Sequence, residues 1–281
     1  MRLIKMTGGL GNQMFIYAFF LQMRHRFPKV RIDLSDMMHY KAHNGYELHR
    51  VFDLPKEELC WPKWKKKSLE FLFFKVIVER KQNLDTLEAF QKQYSWPLVY
   101  FKGFYQSERF FKEIEDEVRA AFQFDLGKAS KNSRKLAERI LKDPHSVSFH
   151  VRRGDYMSPK FYKRFGSVCQ LPYYEKAVEK ILSIDPEAHF YVFSDDIKWV
   201  QEQLHLPQYT IIDGNTGNNS WQDMMLMSFC RHHVIANSTF SWWGAWLDHR
   251  PNKIVIAPDR WLGDREMPGI IPPGWIQLAT Q

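Results

Sequence analysis

Cysteine is scarce: the 281 residues contain three, Cys60, Cys169 and Cys230, odd in number and far apart. That gives no disulfide framework and no paired-cysteine zinc spacing, and it points to a reducing compartment. Long apolar runs are missing as well. No segment reaches the roughly 18 apolar residues of a membrane span. The start, MRLIKMTGG, has no apolar h-region and no small-residue cleavage site, so a cytoplasmic location is expected. The glycosylation sequons at Asn218 and Asn237 therefore carry little weight. There is no Asp-x-Asp triplet of the kind that holds a divalent ion on a diphosphate. His-Glu-x-x-His and Gly-x-Ser-x-Gly are absent too, as are zinc-finger and RNP-like patterns. No internal repeat and no low-complexity tract occurs.

Apolar residues make up 44% and aromatics 16%, the composition of a folded globular chain. The net charge of +8 favours a phosphorylated or polyanionic partner, or an anionic membrane surface. The basic residues are dispersed, so no nucleic-acid partner is expected. Residues 61–81 mix Trp, Lys and Phe. They read as a solvated helix, or as a basic segment resting at the inner face of a membrane in peripheral association.

Periodicity alternates strand and helix. A strand at 2–7, a loop at 8–13, a helix at 14–27 hydrophobic on nearly every face, and a strand at 30–34 form a β-loop-α-β unit. Ser107 is placed to cap a helix running to about 122. Residues 124–133 form a plausible boundary. Beyond them strands at 146–151, 189–193, 209–212, 234–236 and 253–257 alternate with helices. The expectation is an α/β chain of two Rossmann-like domains, 1–125 and 126–281, with parallel sheets facing a cleft.

Four stretches carry chemistry. His150-Val-Arg-Arg-Gly-Asp-Tyr follows an apolar strand directly, and ligands bind at the carboxyl ends of strands in open α/β sheets. The forks of Arg152 and Arg153 suit a phosphate or pyrophosphate. His150 and Asp155 can orient them, and Gly154 lets the backbone turn. A surface ion-pair cluster is the plainer reading of two arginines alone. Gly8-Gly-Leu-Gly-Asn-Gln opens a helix, where amides near Gly9 and Gly11, with Asn12 and Gln13, suit an anion or sugar hydroxyls. Gly9, Gly11 and Asp33 also fit part of a dinucleotide fingerprint, but Met14 occupies the third glycine position. Ser194-Asp195-Asp196 ends a strand. Its aspartates suit guanine or ribose hydroxyls as well as helix capping. Asn237, Ser238, Thr239, Phe240 and Ser241 precede a helix and suit a phosphate, or again a cap. The Trp242, Trp243 and Trp246 side chains read as core.

Together, GGLGNQMF, HVRRGDY, Phe193-Ser-Asp-Asp and NSTFSWWGAW resemble the bacterial α-1,2-fucosyltransferases of glycosyltransferase family eleven, in order and across most of the chain. Ile16 departs from the family's usual Gln, which bears on acceptor preference. The resemblance implies a GT-B fold, GDP-L-fucose as donor, inversion at the anomeric carbon and no required metal or cofactor. The acceptor it implies is the 2-hydroxyl of a terminal β-galactoside. It implies Arg152 on the β-phosphate, supported by His150, Arg153 and Asp155, with Asn12, Gly9 and Gly11 near fucose or pyrophosphate. Asp195 or Asp196 would lie near guanosine, and the residues from Asn237 to Ser241 near phosphate. The base for the acceptor proton stays open among Asp33, His43, Glu47 and the departing phosphate. The alternatives are an NAD(P)-dependent oxidoreductase and a non-catalytic carbohydrate-binding protein.

Overall fold

The computed structural model describes residues 1–37, 43–56, 58–61, 75–79 and 98–280. The chain divides into two compact units, Met1–Asp125 and Leu126–Gln281.

The first unit is built on strand β1 (Arg2–Lys5) and helix α1 (Leu10–Arg26). Strands β2 (Val30–Asp33), β3 (Glu58–Leu59), β4 (Lys75–Val78) and β5 (Val99–Lys102) complete a sheet of order β3-β2-β1-β5-β4 among the described residues. Every pairing in it is parallel. A short helix, α2, spans Leu48–Val51. Helix α1 buries 13 of its 17 residues, as its all-round apolar sequence requires. It begins at Leu10, four residues before the expected start. The reason is local: extended Gly9 caps it, and the Gly9 carbonyl accepts from the backbone N–H groups of Asn12 and Gln13. Phe19 stacks on Tyr105 at 3.8 Å between ring centroids, and Tyr17 and Phe52 both meet Phe122. Each such ring contributes on the order of 2 kcal/mol by burial.

Two expectations fail in this unit. The single helix from Ser107 to about 122 is two 3₁₀ turns, Glu108–Phe110 and Lys112–Ile114, followed by α3 (Glu115–Ala121). Adjacent Phe110 and Phe111 are both buried, which one face of a regular helix cannot achieve. Ser107 does cap the first turn, accepting from Arg109 N–H at 3.3 Å. Within 61–81, Lys75–Val78 is a strand beside β5 and not part of a helix. Its β-branched Val76, Ile77 and Val78 fit a pleated edge, with Ile77 fully buried. Most of that basic stretch lies outside the described residues, as do His39 and Tyr40 of the polar segment. No helix among the described residues is long and apolar enough to cross a membrane.

The second unit centres on β6 (Ser146–Val151), buried at all six positions. With β7 (His189–Ser194), β8 (Tyr209–Ile212), β9 (His232–Val234), β10 (Val255–Pro258) and β11 (Ile276–Leu278) it forms a sheet of order β11-β10-β9-β6-β7-β8. All its pairings are parallel, so all carboxyl ends share one edge. The connecting helices are α4 (Lys131–Lys142), α5 (Leu171–Ile184), α6 (Ile197–Gln203), α7 (Trp221–Phe229) and α8 (Thr239–Leu247). Ser130 caps α4, accepting from Ser133 N–H at 3.1 Å. The core packs Phe149, Phe190, Val192, Tyr173 and Tyr174 between sheet and helices. In β6 Ser146, Ser148 and His150 alternate with Val147, Phe149 and Val151, and all six are covered, as in the centre of a parallel sheet with helices on both faces. Strand β9 starts two residues earlier than expected, and the edge strand β11 was not anticipated.

Candidate active site

Strand β6 ends at Val151, and the chain leaves it as Arg152, Arg153 and one 3₁₀ turn, Gly154–Met157. Register places the neighbouring strand's end beside this exit, with His150 opposite Phe193 and Val151 opposite Ser194. Asp195 is therefore the next residue alongside. Its Oδ2 lies 2.7 Å from Nη1 of Arg152, and its Oδ1 accepts from the backbone N–H groups of Arg153 (2.8 Å) and Gly154 (3.1 Å). A Cβ on Gly154 would come within 2.5 Å of the same carboxylate, so a side chain here displaces either the acid or the turn. Asp155 takes the other side of the fork, with Nη2 of Arg152 donating to its Oδ1 at 2.6 Å.

Arg153 turns elsewhere. Its Nε donates to Asp196 Oδ2 at 3.1 Å and its guanidinium lies 4.2 Å from the Trp199 ring centroid. The second oxygen of Asp196 caps α6 at Trp199 N–H. The arginine pair thus splits: Arg152 is gripped by two carboxylates at the strand end, while Arg153 fastens the loop to α6. Asp195 and Asp196 are both engaged with this loop, and each side chain remains part-exposed.

His150 is 7% exposed, and its Nδ1 is enclosed with no hydrogen-bond partner among the described residues. Burial, helped by the nearby charge of Arg152, pushes its pKa down to about 3, so the ring is neutral at pH 7. It lies 6.2 Å from the Phe240 ring, which ties it to the start of α8.

The segment from Asn237 to Ser241 delivers something other than a row of hydroxyl donors. Ser238 Oγ accepts from Phe240 N–H, and Ser241 Oγ donates to the Ser238 carbonyl; both side chains are buried. Asn237, also buried, donates through Nδ2 to the carbonyls of Phe165 and Trp261, each at 3.1 Å. It staples two loops together. Thr239 and Phe240 are half-buried. The feature that remains for an anion is the α8 N-terminus itself. Trp242, Trp243 and Trp246 are buried core, with Trp242 Nε1 donating to the Ile270 carbonyl.

In the first unit, Gly9, Gly11, Asn12 and Gln13 cluster where α1 begins, and Gly11 is buried within the helix. Gln13 is fully buried. Its amide donates to the carbonyls of Gly8 and Gly45, and its oxygen accepts from Glu47 N–H. It is a loop staple, not a ligand donor. Asn12 is half-buried; its oxygen accepts from Gln106 at 2.6 Å, and its amide nitrogen has no partner among the described residues. Asp33 is saturated by Ser35 and by Tyr100 O–H at 2.6 Å, and it is 2% exposed. That removes it both as a ribose acceptor and as a base. Glu47 is likewise buried, paired with Arg50 at 2.7 Å, and burial raises its pKa. His43 is exposed, at φ +54°, against Gly9.

Two residues escaped the sequence reading. Tyr156 links the arginine turn to Asn237: its O–H donates to the Asn237 carbonyl at 3.4 Å and its ring stacks on Phe165. Asp223, in the first turn of α7, is a largely enclosed carboxyl whose pKa burial pushes up to about 7, against an amide bond from Asn215. An aspartate in a first helical turn reads as a dipole partner, so sequence offered no signal for it.

Residues 2–279 match the profile of Glycosyl transferase family 11. The chain belongs to that family. An α-1,2-colitosyltransferase of Escherichia coli is 30% identical over 98% of this chain and 97% of its own. The Escherichia coli O-antigen biosynthesis glycosyltransferase WbnK is 28% identical over 97% and 99%. A galactoside α-(1,2)-fucosyltransferase 1 of Ateles belzebuth is 25% identical over 54% of this chain and 43% of its own. Among solved structures, the α-1,6-fucosyltransferase NodZ crystallised with GDP superposes with TM-score 0.55 at 12% identity, covering 91% of this chain and 94% of that one. The family 11 protein is therefore a glycosyltransferase of α/β, GT-B-like fold.

Proposed function

We propose that this glycosyltransferase is an inverting α-1,2-fucosyltransferase, moving L-fucose from GDP-L-fucose to the 2-hydroxyl of a terminal β-galactoside. The observation that carries the reading is Arg152, fixed at the strand end by Asp195 and Asp155. In this scheme the second unit holds the donor, with its diphosphate between Arg152 and the N-terminus of α8. The first unit receives the acceptor, with the amide of Asn12 near the sugar. The acceptor oxygen attacks C1 of fucose as the bond from C1 to the β-phosphate oxygen breaks, and GDP leaves. Arg152 and the α8 dipole are aimed at the negative charge that grows on the departing oxygen, which is electrostatic preorganisation. Of the three side chains considered as base, His43 is the exposed one, and the acceptor proton passes to it.

The saturation of Asp33 weighs against a dinucleotide oxidoreductase. One competing donor has support: the full-length likeness to an α-1,2-colitosyltransferase favours nucleotide-activated colitose in place of fucose. Incubation of the protein with lactose and each nucleotide sugar in turn, followed by linkage analysis of the product, decides between them. Transfer from neither donor would refute the assignment.

A further inference from the structure

Among the described residues the winding of the first sheet, β3-β2-β1-β5-β4, reverses between β1 and β5. The chain leaves β1 for β2 on one side, while β5 and β4 lie on the other. Open α/β sheets take ligands at such switch points, in the crevice outside the carboxyl ends of the strands. Two loops flank this one. Asn12 follows β1 and Gln106 follows β5, and Gln106 Nε2 donates to Asn12 Oδ1 at 2.6 Å from one loop to the other.

The loop after β5 is built to hold that donor in place. Val78 pairs with Lys102 at the ends of β4 and β5, so Glu79 meets the turn that follows β5. Its carboxylate accepts from the backbone N–H of Phe104 at 2.6 Å and from that of Tyr105 at 3.0 Å. A Cβ on Gly103 would run into the same carboxylate. Tyr105 stands at φ +53°, a left-handed backbone that a bulky residue adopts only where its surroundings impose it. Here the imposing contacts are Glu79 on its amide and Phe19 stacked on its ring. Beyond Gln106, Ser107 N–H donates to the Tyr105 carbonyl, and Ser107 caps the turn that follows. The backbone of Gln106 is thus fixed on both sides. Asn12 is held as closely. A Cβ on Gly8, at φ +86°, would come within 2.7 Å of Asn12 Nδ2 and 2.8 Å of its Cβ.

An amide carries an acceptor on one end and donors on the other, and whichever end is engaged decides what the other offers. We propose that Gln106 is a positioning residue of the transferase. By donating to Asn12 Oδ1 it commits that amide to one orientation, and Nδ2 becomes the donor for a sugar oxygen in the switch-point crevice. Nδ2 has no other partner among the described residues. The inference rests on the reading that places Asn12 near the sugar. Its kinetic test turns on Q106E, whose carboxylate accepts but does not donate at neutral pH. It draws the Asn12 nitrogen to itself and leaves the oxygen facing the sugar, with side-chain size unchanged. Rates are measured with lactose and the nucleotide sugar, fucose- or colitose-bearing, that the wild type turns over. Q106E is expected to lower kcat/KM by about tenfold or more, the worth of one hydrogen bond reversed. In an N12A background the same change costs less than about twofold, because nothing is left to orient. Wild-type kcat/KM in Q106E overturns the proposal. So does an equal loss with and without Asn12, which would make Gln106 a support of its own loop.

Proton–nitrogen correlation NMR on the full chain supplies a readout independent of turnover. The side-chain NH₂ pair of Asn12 is the one lost in N12D. In Q106E it is expected to move downfield, as an amide does on donating to a carboxylate, and to return as acid protonates that carboxylate. An unmoved signal overturns the proposal. If the signal moves as described yet neither nucleotide sugar is turned over, the transferase reading fails and the amide lock stands. If the wild type and Q106E turn over alike, the lock fails and the transferase reading stands.

Discussion

Asp195 Oδ2 sits 2.7 Å from Nη1 of Arg152, and the same carboxylate holds the next two backbone amides of the turn. One acid thus fixes both the direction of the guanidinium and the path of the chain beneath it. Replacing Arg152 by Ala removes the fixed donor, and turnover is expected to fall about a hundredfold or more. The variant keeps its fold, because Arg153, not Arg152, anchors the loop to α6. Steady-state kinetics beside a thermal melt checks this, and wild-type turnover in a folded Arg152→Ala protein sinks the assignment. Asp195→Ala is expected to be as inactive, and less stable, since it frees three donors at once.

Asp155 plays a different part. Its side chain is 48% exposed, it touches Arg152 from the solvent side, and it occupies fork hydrogens that a diphosphate would need. On the proposed function it fixes Arg152 in the free protein and competes with the diphosphate for the same fork. Asp155→Asn is therefore expected to tighten GDP binding, by up to about fivefold given the modest worth of an exposed pair. Calorimetric titration with GDP decides; weaker binding would instead make Asp155 a steering residue.

Gly154 is constrained by contact. A Cβ there would lie 2.5 Å from the Asp195 carboxylate, so Gly154→Ala must displace either the turn or the acid. The expected cost is about 1–3 kcal/mol of stability, the usual penalty for overpacking, together with a loss of turnover. A variant with unchanged melting temperature and unchanged kcat would show that the turn yields freely.

The arginine turn was legible because a buried strand that stops abruptly at charged residues marks a strand's carboxyl end, and HVRRGDY does so in seven letters. What was not legible depends on register. Asp195 reads as a guanosine ligand until β6 and β7 are aligned; Val151 opposite Ser194 then puts it on Arg152. Asn237 reads as a phosphate donor until folding brings the carbonyls of Phe165 and Trp261 to its amide. Gln13 reads as a sugar contact until Gly45 and Glu47 close on it. Polar residues on loops satisfy distant backbone groups, and local sequence does not say which. The helix α1 and strand β6 were readable for the opposite reason: their burial is nearly complete and leaves a single interpretation.

The charges at the arginine turn bear on metal dependence. Two guanidiniums meet three carboxylates, Asp155, Asp195 and Asp196, so the ion pairs alone provide no surplus of positive charge. The proposed balance comes from displacing Asp155 and from the α8 N-terminus. On this account EDTA leaves turnover unchanged. Loss of activity in EDTA, restored by magnesium or manganese, would mean that a divalent ion neutralises the diphosphate and that the arginine is secondary.

The last prediction concerns pH. Burial raises the carboxyl of Asp223 from its ordinary 3.8 to about 7. Between those values the folded chain holds a proton there that the unfolded chain has released. Folding stability from this group is thus fully present below about pH 4 and is lost as pH rises through 7. The slope is at most about 1.4 kcal/mol per pH unit. Buried neutral His150 and His233, depressed to about 3 and about 4, act in the opposite sense, because the unfolded chain protonates them below 6.5. A wild-type curve mixes these effects, so the informative quantity is a difference. Asp223→Asn keeps the shape and removes the titration, while the histidines and Glu47 cancel in the subtraction. Denaturant melts of both proteins from pH 4.5 to 8 should show the variant gaining on the wild type steadily up to about pH 7 and holding that gain beyond. A flat difference would mean that Asp223 stays ionised in the folded protein, with water reaching the carboxyl beside α7.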